Sequence, residues 1–261
     1  MGILNITPDS FSDGGVHFER SKAVHAALQM ESDGAAILDV GGESTRPGSD
    51  AVTIEQEIER VVPVIEQVRR RSDVPISVDT RKAAVAAAAL DAGADVINDV
   101  SALRYDAGMP ALAAGRGVSV ILMHMRGEPR TMQQHAVYDD VVREVASELQ
   151  ERVEAAVGAG IARQRILVDP GIGFAKTAEH NLQILARAAE LRDVAPFVIG
   201  ASRKAFIGHL TGRAAGPDRM VGSLAAVAAA YRGGAAVVRV HDVRDTVDFL
   251  RVLVAIEERR K

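Results

Sequence analysis

PISVDTRKAAVAAAALDAGADVINDV, residues 75–100, holds a complete strand–helix–strand unit. It opens on the apolar run PISVDT (75–80) and closes on another, DVINDV (95–100). Between them lies an alanine-rich stretch of helical character, 81–92, followed by the small-residue turn Ala92-Gly93-Ala94. Neither run alternates cleanly between apolar and polar residues. Strands covered on both faces, as in a parallel sheet, have that near-continuous apolar pattern. A glycine between helix and strand supplies the backbone freedom that ends a helix.

Working outward, the same unit recurs along the chain. Strand-like runs lie at 2–6, 35–40, 75–80, 95–100, 119–124, 165–170, 196–202 and 235–241. Helical patterns fill 21–33, 52–71, 81–92, 138–158, 178–191, 218–232 and 243–258, with a shorter one near 108–116. Strand alternating with helix eight times over 261 residues predicts a single α/β domain, residues 1–261, built as a (β/α)8 TIM barrel. An open doubly wound sheet is the competing arrangement.

Composition narrows the function. Hydrophobic residues make up 48% of the chain, enough for a large core, while aromatics are 3% and Trp is absent. The core must therefore come from Ala, Val, Ile and Leu. A net charge of −4 provides no basic excess for nucleic acid or an anionic membrane. The absence of Cys excludes disulfides, thiolate metal sites and cysteine catalysis. No apolar run reaches the ~20 residues that span a bilayer. Met1 to Ser10 show no charged segment followed by an apolar one, so the expected location is cytoplasmic.

The ends of the strand-like runs carry the chemistry. They present Asn5, Asp39, Asp79, Asn98, His124, Asp169, Ser202 with Lys204, and Arg239 with His241. In a barrel all eight carboxyl ends open on one face, where active sites are built. Arg239 and His241 lie two residues apart, so on a strand both point to one side. Two loops at adjacent strand ends, TPDSFSDGG (7–15) and GGESTRPGSD (41–50), mix glycine with hydroxyls and carboxylates, as a mobile cover over the mouth would.

These strings resemble those of the dihydropteroate synthases of the pterin-binding enzyme family. GILNITPDSFSDGG (2–15) and AAILDVGGESTRPG (35–48) match its two signatures. VDT (78–80), INDVS (97–101), MHMRGEPRTMQ (123–133), DPGIGF (169–174), SRKAFIG (202–208) and RVHDV (239–243) follow in the family's order. The resemblance runs from Gly2 to about Thr246.

It implies condensation of 6-hydroxymethyl-7,8-dihydropterin pyrophosphate with p-aminobenzoate, by a dissociative route in which pyrophosphate leaves first. By the same resemblance Asp79, Asn98, Met123, Asp169 and Lys204 hold the pterin. A carboxylate such as Asp169 suits the guanidine-like edge of that ring, because two oxygens accept two parallel donors. Asn5, Thr45, Arg239 and His241 hold pyrophosphate, and Asn5 is the one protein ligand expected for Mg2+. Ser44, Arg46, Pro47, Phe174, Lys204 and Ala205 surround p-aminobenzoate. Asp13 stabilises the pterin cation, so Asp13, Lys204, Arg239 and His241 form the expected catalytic set. Asp39 orients its neighbours.

Sulfonamides are expected as competing ligands, and a homodimer as the assembly. Ala205 departs from the family, in which Ser is common at this position and its hydroxyl helps hold the aminobenzoate carboxylate. Losing one neutral hydrogen bond predicts affinity weaker by about 0.5–1.5 kcal/mol. Two other functions fit the barrel. A non-catalytic pterin-binding paralogue would not need the full polar set. A methyltetrahydrofolate-dependent methyltransferase would need neither STRPG nor Arg239 with His241.

Overall fold

The computed structural model describes residues 1–6, 15–44, 52–128 and 130–260. Its strands are β1 (Gly2–Asn5), β2 (Leu38–Gly41), β3 (Ile76–Asp79), β4 (Val96–Asp99), β5 (Ser119–Met123), β6 (Ile166–Asp169), β7 (Val198–Ile199) and β8 (Val237–Val238). The helices are α1 (Gly15–Ser32), α2 (Ile54–Arg69), α3 (Ala83–Asp91), α4 (Met109–Arg116), α5 (Val141–Gly158), α6 (Ala178–Ala186), α7 (Ala205–Thr211), α8 (Met220–Gly233) and α9 (Val243–Glu257).

Strands β1 to β6 form one parallel sheet in chain order, and β7 pairs in parallel with β8. Two parallel bridges, Val168↔Phe197 and Gly2↔Val240, join these sheets at both edges. The seams are hydrogen-bonded: Val168 N–H donates to Pro196 at 3.1 Å, and Ile3 N–H to Val240 at 2.9 Å. Eight strands thus close on themselves, which leaves no sheet edge unpaired. The open doubly wound alternative is excluded.

The core is a continuous apolar cluster of Ala, Val, Ile and Leu, with Phe197 its largest fully buried side chain. Alanines make this layering possible: Ala86 and Ala89 of α3 are fully buried, and small side chains let a helix lie close to the sheet. Polar groups set where helices begin. Thr53 and Gln56 exchange bonds in a capping box ahead of α2, and the Asp140 carboxylate accepts Val142 and Arg143 N–H ahead of α5.

Three details differ from the sequence pattern. The helix expected over 178–191 breaks after Ala186 and continues as a 3-10 turn, Ala188–Asp193. Arg187 sits at the break with φ −111 and ψ 21, its guanidinium donating to Asp140 at 2.9 Å and Glu190 at 2.7 Å. Helix α7 was not expected: seven residues show too little periodicity. The last two strands are two residues long; beyond Ile199 the chain turns through Arg203 at φ +58 to start α7.

Candidate functional site

Register brings the strand-end residues to one level. Asn5 pairs with Gly41, Gly41 with Asp79, and Asp79 with Asn98; further round, Met123 pairs with Asp169. A cavity opens there, lined by Asp79, Asn98, Met123, Asp169, Phe174, Lys204 and Arg239 among others. All five residues expected to hold a pterin line it, together with one residue expected at each of the other two substrate groups. A small apolar cluster of Val100, Met123, Met125, Met132, Phe174 and Ala175 forms part of its wall. Thioethers adapt their shape to a flat ring.

The charges here are organised around Arg239. Its Nε donates to Asp39 at 2.5 Å and its Nη2 to Asp79 at 2.7 Å. Burial opposes the Arg239 charge, yet the two carboxylates outweigh it and hold the guanidinium more firmly protonated than usual. Asp79 also shifts upward, which for a carboxyl means toward its neutral form. Burial lifts its carboxyl well above the ordinary range, since it shares one cation with Asp39 and Arg239 only partly offsets the loss of water. Asp39, 1% exposed, also accepts the Asn98 NH2 group at 3.2 Å, and so fixes both Asn98 and Arg239.

Asp169 does two things at once. One oxygen accepts Gly171 N–H at 2.7 Å, closing an Asx turn after β6, while the residue lines the cavity. Burial raises its carboxyl above the ordinary value. The turn demands glycine at 171: φ is +69, and a Cβ there would lie 2.0 Å from the His124 carbonyl oxygen. The Lys204 ammonium sits 4.3 Å from the centre of the Phe174 ring. Lys204 also borders a second cavity, with Gly173, Lys176, Ala205 and His209 among its walls.

Comparison with known proteins places this geometry. The family model described as pterin binding enzyme matches residues 1–241. The dihydropteroate synthase of Escherichia coli (strain K12) is 48% identical over 257 residues, covering 98% of this chain and 90% of that protein. A structure of Xanthomonas albilineans dihydropteroate synthase with 4-aminobenzoic acid superposes with a TM-score of 0.93 at 48% identity, over 98% of this chain and 92% of that one. The Yersinia pestis dihydropteroate synthase, solved as a sulfonamide drug complex, gives 0.93 at 44% identity, over 99% and 94%.

The chain belongs to the pterin-binding enzyme family.

In this pterin-binding enzyme the remaining expected residues fall into three groups. Asn5 and His241 end the neighbouring β1 and β8 seam and are half-buried, beside the cavity rather than in its lining. The His241 side chain is anchored: Ser202 Oγ lies 3.0 Å from Nδ1 and accepts His241 N–H at 3.2 Å. In the tautomer in which the Ser202 hydroxyl donates to Nδ1, the ring proton sits on Nε2. Burial first, then Arg203 and Arg239, pull His241 down to about 4, so it is a neutral donor and not a second cation. Ser44 is half-buried just after β2 and lines neither cavity. Asp13, Thr45, Arg46 and Pro47 lie outside the described residues.

Sequence reasoning missed two buried charge groups. Lys82 bridges Glu57 at 2.6 Å and Glu43 at 3.3 Å, and donates to the Val52 carbonyl at 2.6 Å. It ties β2's exit to the start of α2. Lys176, Glu148 and Arg126 form the other, around His124. His124 was expected at the rim, but its ring turns away from the cavity toward Glu148 and Lys176. His124 and Arg126 share the motif MHMRGEPRTMQ (123–133), but Glu148, Lys176 and Lys82 lie outside the quoted motifs and are brought to their partners only by folding.

Proposed function

We propose that the cavity takes 6-hydroxymethyl-7,8-dihydropterin pyrophosphate and p-aminobenzoate and joins them into 7,8-dihydropteroate and pyrophosphate. The observation that carries this reading is the common cavity of Asp79, Asn98, Met123, Asp169 and Lys204 with Arg239. Asp169 accepts from the amino group and adjacent ring N–H of the pterin, and Asn98 and Asp79 meet other ring atoms. Lys204 donates to ring acceptors on the side that faces Phe174.

Bond breaking sets the barrier. The C–O bond from the exocyclic methylene to the diphosphate breaks, its electron pair leaves with pyrophosphate, and a resonance-stabilised pterin cation remains. The neutral aromatic amine then donates its lone pair to that methylene, and the new C–N bond releases a proton to water. No general base is needed for so free a lone pair. Charge building on the diphosphate needs donors at the β1/β8 seam. Arg239 offers Nη1, which has no partner among the described residues, and His241 offers Nε2–H. Thr45 and Asp13 complete this reading from the two loops.

Mg2+ fits as a substrate-borne ion. Among the described residues no group of three or more His, Asp or Glu side chains could cage a metal, and Asn5 contributes one amide oxygen at the β1 end. A cation that keeps several waters and binds through phosphates suits such a sparse donor set. Bound there, it would neutralise the diphosphate; the protein's share is Asn5's carbonyl oxygen.

The second substrate lies toward Phe174, Lys204 and Ala205, and this reading assigns Ser44, Arg46 and Pro47 to it as well. Sulfonamides share its shape and compete there. Exposed apolar side chains on the last three helices, Leu210, Val221, Val252 and Ile256, support a homodimer. No helix among the described residues is long and apolar enough to cross a membrane. We place the enzyme in the cytoplasm, in keeping with its lack of cysteine.

A pyrophosphate-release assay tests the reaction. Release is expected only in step with dihydropteroate formation and with both substrates present. Tight pterin binding without release would sink the transferase reading and leave a binding paralogue.

A further inference from the structure

The turn after β6 carries Phe174 into the cavity, and its backbone is unusual. Gly171, Gly173 and Ala175 all hold left-handed φ angles, +69, +84 and +49, within five residues. For alanine that conformation is strained and persists only where surroundings over-determine it. Side chains supply the restraint. Gly173 N–H donates to Asn181 at 2.8 Å, the Gly173 carbonyl accepts Gln133 at 3.1 Å, and the Ala175 carbonyl accepts the Tyr138 hydroxyl at 3.0 Å. The Phe174 carbonyl accepts Lys176 Nζ at 3.0 Å.

Lys176 is the unusual member. It is 3% exposed, and its Nζ also lies 2.9 Å from His124 Nδ1. His124 in turn meets Glu148 through Nε2 at 3.0 Å, and Arg126 donates to Glu148 and Glu144. Because Lys176 occupies Nδ1, the ring proton sits on Nε2, where the Glu148 carboxylate accepts it. Burial pulls Lys176 down to about 7, with Asp169 and Glu148 pulling upward. Charged or neutral, an amine keeps two N–H groups for its two acceptors. A buried lysine with no carboxylate in direct contact is costly unless something requires its donors. What it holds is the peptide behind the Phe174 ring.

We propose that Lys176, held by the His124–Glu148 pair, is a positioning residue for the second substrate: it sets the Phe174 ring against Lys204 and so determines how the aromatic amine is seated. This rests on the reading of Phe174 as part of the aminobenzoate end.

The test is steady-state kinetics with pterin affinity measured separately by calorimetry. In Lys176→Met the KM for p-aminobenzoate is expected to rise about tenfold, with kcat within threefold and pterin affinity within twofold. Phe174→Leu should give the same signature. If Phe174→Leu raises that KM and Lys176→Met does not, Lys176 is structural only and the inference falls while the site reading stands. If Phe174→Leu leaves KM unchanged, the reading of Phe174 itself fails and the inference goes with it. Equal losses of pterin affinity and aminobenzoate KM in Lys176→Met would also overturn it. Should Lys176→Met not fold, Glu148→Gln takes its place, at a side chain 35% exposed, with a smaller rise in the same KM expected and no rise counting against the proposal.

Discussion

The two ends of the cavity are built by different means. At the end we assign to the pterin Asp79, Asn98 and Asp169 ride on the closing residues of strands, and barrel register fixes where they stand. At the end we assign to aminobenzoate Phe174 rides on a turn, and side-chain bonds to its peptide groups fix it. A strand end is held by the whole sheet, so one substitution removes a contact but leaves the frame. A turn with three left-handed residues is held by a few bonds, so one substitution can move the frame. The pterin end should therefore lose function by deletion of groups, and the aminobenzoate end by displacement.

The sharpest challenge to that contrast is Arg239→Met. It leaves Asp39 and Asp79 facing each other without their cation, and uncompensated buried charge costs about 3–5 kcal/mol. Urea unfolding should show that loss; a loss under 1 kcal/mol would mean that the strand-end cluster is not held as a unit. Asp169→Ala comes next. Removing the acceptor of two charge-assisted hydrogen bonds, each worth about 1.5–3 kcal/mol, should weaken pterin binding by on the order of a hundredfold or more in calorimetry. Unchanged affinity would take Asp169 out of the pterin end.

Beneath the turn, His124 gives a pH signature. Burial, with help from the Lys176 and Arg126 charges and against Glu148, brings it down from 6.5 to about 4. Its folded pKa lies below its unfolded one, so the unfolded chain binds the proton more readily between those values. The stability it contributes is complete above pH 6.5 and lost as pH falls through 4, in total about 3 kcal/mol. Unfolding titrations at pH 7 and 4.5 should show a smaller drop for His124→Asn than for the parent chain. An equal drop would place the acid sensitivity elsewhere.

The smallest effect expected is a gain. Ala205→Ser restores a hydroxyl at the first residue of α7, and should improve p-aminobenzoate affinity by about 0.5–1.5 kcal/mol while leaving the pterin unaffected. If both affinities move together, the two ends are not independent.

Much of the cavity lining was readable in the chain. A polar residue closing an apolar strand run stands out because its neighbours commit it to the edge of the core, and eight such runs in sequence imply one shared rim. Asp79, Asn98, Asp169 and Arg239 were legible for that reason, whereas Met123 came only from the family resemblance. His124 satisfied the same pattern, yet its ring faces outward to Glu148 and Lys176. Strand periodicity says which residue ends a strand, but a terminal residue is free to leave the pleat. Lys176 gave no signal because its partner His124 is 52 positions away.

The sequence by itself determined the parallel strand–helix alternation and the inventory of the rim, because apolar periodicity is local and strands buried on both faces read as near-continuous apolar runs. Closure into a barrel instead of an open sheet was decided by the seams Val168↔Phe197 and Gly2↔Val240, which join residues far apart in the chain. Tertiary structure alone decided how the charges are shared. Which carboxylate Arg239 would bind, whether His241 would carry a charge, and what would hold Phe174 depend on distances between residues far apart in the chain, and on water that is excluded only once the barrel has closed.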